Sequence, residues 1–213
     1  MVTVTAYGRP ATMTDAFELL ARPGAVVLGG GTRLNGDTST ERVEVVDLQS
    51  LGLDGVRAEG EHGLRVGAMT TLQRIADDER VPAVVREAAR RERPSTLRAQ
   101  GTLGGCVATG DWECELLAAL LVHEAVVHVE SSSGSDAIAL EALLDRLPLH
   151  PGQVVTAVAL RTDGAAASAR TARTPADRAI VAAFARTVQD GCRIALTGVA
   201  ATPVLVEPGD ELH

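Results

Sequence analysis

Two glycine runs are the residues most able to do chemistry. Val26-Val27-Leu28-Gly29-Gly30-Gly31-Thr32-Arg33-Leu34 places three glycines at the end of an apolar strand. Thr102-Leu103-Gly104-Gly105-Cys106 places two more ahead of an apolar helix that opens near Glu113–Glu115. Where the Cβ is missing, backbone N–H groups can approach a phosphate closely. Two such runs, each read as a tight turn, predict a ligand whose pyrophosphate is held from both sides. Thr102 adds a hydroxyl beside the second run, and Glu115 a carboxylate acceptor at the start of the next helix.

Other phosphate chemistries are excluded by residue type. The first run is not a G-x-x-x-x-G-K-[ST] loop, and a chain with no lysine cannot supply that lysine. It is not G-x-G-x-x-G either, which removes support for a Rossmann nicotinamide site. The formal net charge of −8 argues against nucleic acid, whose binding needs a basic patch. Cys106, Cys114 and Cys192 include no C-x-x-C pair, so neither a disulfide framework, an iron–sulfur cluster nor a zinc site is expected. His62, His123, His128, His150 and His213 are scattered and read as surface or structural. No side chain stands out as a general base. With one Trp, one Tyr and two Phe, ligand stacking on aromatic rings is not expected.

The elements that must position these residues follow from periodicity. Val2–Tyr7, Ala25–Leu28, Val43–Leu48, Leu64–Gly67 and Val154–Leu160 read as strands. Thr12 or Thr14 caps a helix with Ala16, Phe17, Leu19 and Leu20 at helical spacing. Thr70 or Thr71 caps another carrying Leu72, Ile75 and Ala76, and Pro82 opens a third through Arg91. Arg90, Arg91 and Arg93 read as a solvated helix end. Gly36–Thr40 reads as a loop and Glu115–Val122 as an apolar helix. Val126–Val129 and Ile138–Leu140 flank a serine-rich, flexible hairpin connection. Thr162–Ser168 has linker composition, and Ile180–Val188 and Cys192–Val199 read as strands around an Asp-Gly turn. A chain of 213 residues with 46% hydrophobic and 23% charged residues can build a sizeable core. Met1–Thr5 lacks a signal-peptide pattern and no apolar run reaches membrane-spanning length, so a cytoplasmic protein is expected.

In order and spacing these motifs resemble the FAD-binding medium subunit of the molybdenum hydroxylases, the group of xanthine dehydrogenase and carbon monoxide dehydrogenase. Gly29-Gly30-Gly31-Thr32 matches that family's first glycine loop. Arg98 and Thr102-Leu103-Gly104-Gly105 match its second, with Glu115 at the place of an aspartate. Tyr7-Gly8-Arg9-Pro10, Val66-Gly67-Ala68, Pro151-Gly152-Gln153-Val154-Val155, Ala176–Val181 and Ala195–Ala200 support the register. The chain departs from the pattern at Cys106 (asparagine), Arg33 (aspartate), Trp112 (proline) and Gln153 (glutamate).

The resemblance implies an α+β, two-subdomain FAD-binding fold of the vanillyl-alcohol-oxidase type. Its expected parts are residues 1–55, residues 56–162, and a partial C-terminal α+β domain at 168–213. It implies FAD between the subdomains, held by Leu28, Gly29, Gly30, Gly31, Thr32, Arg33, Leu34, Thr102, Gly104, Gly105 and Glu115, with Val155 against a ring. It also implies an oxidoreductase subunit taking electrons from an iron–sulfur partner and passing them to NAD, quinone or oxygen, beside a molybdopterin subunit. An apolar strand surface near Ile194–Val199 is the expected interface for the iron–sulfur partner or, failing that, for a homo-oligomer. The alternatives are a free-standing flavin oxidoreductase acting on a small molecule, and a flavin-free assembly subunit of the same fold.

Overall fold

The computed structural model describes residues 2–36, 39–92, 94–174 and 177–206. Arg93, Ala176, Pro208-Gly209 and His213, and part of the loop read at 36–40, lie outside the described residues.

The first unit alternates strand and helix: β1 (Thr3–Gly8), α1 (Met13–Leu20), β2 (Ala25–Leu28), α2 (Thr32–Gly36) and β3 (Arg42–Asp47). The strands form a parallel sheet in the order β1-β3-β2. Thr12 caps α1 by accepting the Asp15 N–H at 3.1 Å. Ala16 and Leu20 of α1 are buried and pack with Val46 and Leu48.

The second unit contains β4 (Val56–Ala58), β5 (Gly63–Gly67), α3 (Leu72–Asp77), α4 (Ala83–Arg91), α5 (Ser95–Gln100), α6 (Leu103–Thr109) and α7 (Glu115–Val122). It closes with β6 (Val126–Ser131), β7 (Gly134–Ala139), α8 (Leu140–Leu144) and β8 (Val154–Arg161). Its five-stranded sheet runs β4-β5-β8-β6-β7 with antiparallel neighbours. Every residue of α7 is buried, as expected of a helix that is apolar nearly all round. The last-made strand, β8, serves two cores. Val154 packs with Ala16, Leu20, Val46 and Leu48 of the first unit, whereas Val155, Val158 and Leu160 belong to the larger core.

A third sheet, β9 (Ala166–Thr171), β10 (Val181–Val188), β11 (Gly191–Thr197) and β12 (Val204–Val206), is antiparallel in the order β12-β11-β10-β9. It packs on α7 through Phe184 and Ala195, both fully buried. The side chain of Arg186 in β10 is only 1% exposed and ties this sheet to the end of α7. Its Nε donates to the Val122 carbonyl at 2.6 Å, its Nη1 to the Asp163 carbonyl at 2.9 Å, and its Nη2 pairs with Glu124.

Several expectations change. The stretch read as a linker at 162–168 already contains the start of β9, whose small residues pair across to β10. The serine-rich connection is a tight hairpin, since Ser131 pairs with Gly134 and leaves only Ser132 and Ser133 in the turn. Gly104 and Gly105 do not form a turn; they lie in the first turn of α6, capped by Thr102. Arg91 is not a solvated end residue, because it reaches the buried Glu115. Among the described residues no helix is long and apolar enough to cross a membrane.

Candidate functional site

Gly29-Gly30-Gly31 leaves the carboxyl end of β2 and enters α2 at the seam between the first two units. Each glycine is there for lack of a side chain. A Cβ on Gly29 would stand 2.8 Å from Thr102 Oγ1, and one on Gly30 would overlap the carbonyl of Gln100. Gly31 has φ +72, a backbone setting that favours glycine. The two glycine runs therefore meet, with the first lying on residues 100–102. Arg33 of α2 crosses the same seam, its Nε donating to Thr109 Oγ1 of α6 at 3.4 Å.

The second run is built differently. Thr102 is buried and caps α6 by accepting the Gly105 N–H at 3.2 Å. The Gly104 N–H donates to the Ala68 carbonyl at 2.8 Å, and a Cβ on Gly104 would stand 2.8 Å from the Ala68 Cβ. These glycines let α6 press on the chain after β5, and their N–H groups are already engaged. The open donors for a phosphate are thus those of the first run.

Beside that run lies an open cleft of about 360 Å³. Leu28 and the three glycines form one side, and Val4, Tyr7 and Val45 of the small sheet form another. Leu34, Gln49 and Gln100 complete it. Among the described residues no acidic residue lines the cleft, in a chain of formal net charge −8. The Tyr7 hydroxyl donates to Asp47, whose other oxygen accepts the Gln49 N–H at 2.9 Å. That carboxylate, first through the hydrogen bond, raises the Tyr7 pKa above its ordinary value. The one tyrosine of the chain thus lines the candidate site. Its signal in the sequence was slight: a single ring in a short strand.

Glu115 lies elsewhere. Its carboxylate is buried, and both oxygens are taken, by Arg91 at 2.8 Å and Arg170 of β9 at 3.1 Å. In this structure it is an ion-pair hub joining α4, α7 and the third sheet, not a free acceptor for ligand hydroxyls. Val155 is 6% exposed in the large core and does not line the cleft. Arg98 fastens α5, donating to Gln73 Oε1 at 2.7 Å and to the carbonyls of Arg90 and Glu92. Cys106 and Cys114 lie side by side across the α6–α7 connection; the Cys114 thiol and then burial push the Cys106 thiol well above its usual range. The connection itself is clasped from the third sheet. Arg178 reaches Asp111 and Glu113 at 3.2 Å each, and Thr197 donates to the Trp112 carbonyl.

Residues 3–160 match the model of the FAD binding domain in molybdopterin dehydrogenase. The chain belongs to this family. FAD is the cofactor of that domain, and the glycine cradle, beside a cleft with no acid among its described lining residues, fits its pyrophosphate. The chain is 36% identical over 202 residues to the uncharacterized protein YgfM of Escherichia coli (strain K12), covering 91% of this chain and 74% of YgfM. It is 28% identical over 221 residues to the carbon monoxide dehydrogenase medium chain of Afipia carboxidovorans, covering 94% and 76%. Among solved structures, a chain of the cyanide-inactivated Cu,Mo-CO dehydrogenase superposes with a TM-score of 0.82 at 27% identity, covering 96% of this chain and 78% of that one. A chain of quinoline 2-oxidoreductase from Pseudomonas putida 86 gives 0.83 at 25% identity, covering 94% and 76%. The mixed α/β architecture is the FAD-binding fold of this oxidoreductase family.

Proposed function

We propose that this chain is the flavin-bearing subunit of a molybdenum hydroxylase-type complex, receiving electrons from an iron–sulfur partner chain and delivering them to NAD, quinone or oxygen. The observation that carries the reading is the meeting of Gly29–Gly31 with residues 100–102 beside a cleft with no carboxylate among its described lining residues. FAD supplies the redox chemistry when bound, and the protein binds, orients and shields it. Gly30, Gly31 and Thr32 present main-chain N–H groups to the pyrophosphate, Arg33 stands beside it as the local cation, and Leu28 and Leu34 wall the groove. Thr102 braces Gly29. Gly104 and Gly105 seat α6 close to Ala68, Glu115 anchors α7, and Val155 lies in β8, the strand on which α6 packs.

The iron–sulfur centre belongs to a separate chain on this reading. Among the described residues no group of three or more His, Cys, Asp or Glu side chains is placed to hold a metal. A cytoplasmic complex that also carries molybdopterin is the expected setting. The test is purification from the source cell with its co-purifying chains, heat release of the cofactor, and comparison with FAD and FMN standards. FAD together with an iron–sulfur chain supports the proposal. Release of FMN, or no flavin after incubation with FAD, overturns it. An FAD-bearing protein that recruits no partner and oxidises a small molecule alone overturns the subunit role and favours a free-standing enzyme.

A further inference from the structure

Cys106 and Cys114 are eight positions apart in the chain, and the fold brings their thiols together. Cys106 follows Gly105 in α6, and Cys114 is the residue from which α7 starts. Between them the chain reverses. Gly110, with φ +60, ends α6 and donates its N–H to the Cys106 carbonyl at 3.1 Å. The Cys114 N–H then donates to the Asp111 carbonyl at 3.0 Å. Cys114 is 9% exposed in the large core, and Cys106 packs half-buried against that core. The Cys106 thiol hydrogen-bonds to the Cys114 sulfur.

Neither sulfur lines the glycine cleft, and among the described residues neither belongs to a group of three that could hold a metal. Two thiols in contact have a chemistry that separate thiols lack, oxidation to a disulfide through a sulfenic acid. Their settings divide the roles. The amino end of a helix favours negative charge, which suits Cys114 as the attacking sulfur. The hydrogen bond to Cys114, and then burial, push the Cys106 thiol up, so Cys106 keeps its proton and resolves the intermediate.

We propose that Cys106 and Cys114 are a peroxide-sensing dithiol that closes to an intramolecular disulfide and staples α6 to α7. The oxidant is hydrogen peroxide, small enough to reach a half-buried pair. The Cys114 sulfur attacks one peroxide oxygen; the S–O bond forms, the O–O bond breaks, and the other oxygen leaves as water with the Cys114 proton. The Cys106 sulfur then attacks the sulfenic sulfur. The S–S bond forms, the S–O bond breaks, and the hydroxyl leaves as a second water with the Cys106 proton. The two thiols lose two electrons and one peroxide gains them. A dithiol reductant reverses the step by exchange. The staple reaches both neighbouring features: Thr102, which caps α6, stands against Gly29, and Glu115, next to Cys114, is the ion-pair hub.

The test needs no flavin and is independent of the FAD reading. The full-length chain carrying Cys192→Ser, which leaves this pair alone, is treated with hydrogen peroxide. Thiols are counted in denaturant, and intact mass and peptide maps are recorded. Both thiols are expected to disappear together, the mass to fall by two hydrogens, and one linked peptide to join Cys106 to Cys114. Dithiothreitol is expected to restore both thiols. The oxidised protein is expected to melt roughly 5–10 °C above the reduced one, as a staple across a short loop does. Adding Cys114→Ala is expected to abolish both the linked peptide and the rise in melting temperature. Circular dichroism establishes that this variant is folded; if it is not, the map of the Cys192→Ser protein decides alone. Retention of both thiols at a peroxide dose that oxidises Cys192 in the unaltered chain overturns the inference. So does a gain of oxygen without a linked peptide, a disulfide formed only between copies, or a disulfide that leaves the melting temperature unchanged.

Discussion

The α-carbon of Gly30 rests on the main chain of Gln100, so closely that even a methyl group there would overlap the Gln100 carbonyl. The first glycine loop is therefore part of the seam between two units as well as a candidate phosphate cradle. Gly30→Ala is expected to lose FAD and to lower stability by about 1–3 kcal/mol, as overpacking does. Gly105→Ala is the contrasting case. It sits in a helix, a Cβ there meets only Thr102 Oγ1 at 3.2 Å, and alanine is the better helix former. It is expected to stay within about 1 kcal/mol of wild type. Thermal melts with FAD occupancy measured alongside check both; a Gly30→Ala protein of unchanged melting temperature contradicts the seam.

Glu115 is held between Arg91 and Arg170 with 7% of its side chain exposed. Removing one member of a buried charge cluster leaves the others uncompensated. Glu115→Ala is expected to cost roughly 3 kcal/mol. Urea unfolding measures it, and the double variant with Arg170→Ala is expected to lose less than the sum of the two single losses. Strict additivity would show that the pair contributes nothing.

His123 is buried, with Nδ1 2.7 Å from the Arg161 carbonyl and Nε2 unpartnered. Burial, then Arg186, lowers its pKa from 6.5 to about 4, against the opposing pull of the Arg161 carbonyl, Asp163 and Glu124. Above pH 6.5 the ring is neutral folded or unfolded. Between pH 6.5 and 4 the unfolded chain binds a proton that the folded protein refuses, so stability falls as pH falls. The loss levels off below pH 4 after about 3 kcal/mol. His123→Leu is expected to flatten this part of the stability curve, measured by urea unfolding from pH 8 to 4. A variant curve parallel to wild type contradicts it.

The three thiols differ in access. Cys192 is exposed, Cys114 buried, and Cys106 half-buried with its pKa raised. A thiol-reactive dye at pH 8 is expected to label one cysteine fast in the folded protein and the other two only on unfolding. Loss of the fast phase in Cys192→Ser confirms the assignment; its persistence refutes it.

Much of the architecture is legible where side chains alternate or repeat at helical spacing. Ala25–Leu28, Glu115–Val122 and the Thr12 and Thr71 caps coincide with the structure, because local hydrogen bonds and apolar periodicity dictate them. Gly104 and Gly105 mislead because glycine signals turns by its freedom. Here it serves close packing on Ala68, a contact 36 residues away in the chain. Ala166–Thr171 is too small and polar to announce a strand, and only pairing with β10 makes it one. Glu115 has a visible carboxylate but invisible partners, since Arg91 and Arg170 reach it from 24 and 55 residues away. The Tyr7–Asp47 pair, 40 residues apart, hides for the same reason.

The double service of β8 has a consequence for synthesis on the ribosome. In the larger sheet it is the last strand made, yet it stands between β5 and β6. Until residue 161 has emerged, both of those strands carry an open edge, the usual invitation to wrong pairing. The same strand brings Val154, without which the core under α1 lacks one wall. A growing chain therefore cannot finish its first unit and then its second, in the N-terminal-first order common to multidomain proteins. Both wait for one eight-residue segment, and a translational pause just before it would prolong the time that the nascent chain needs a chaperone.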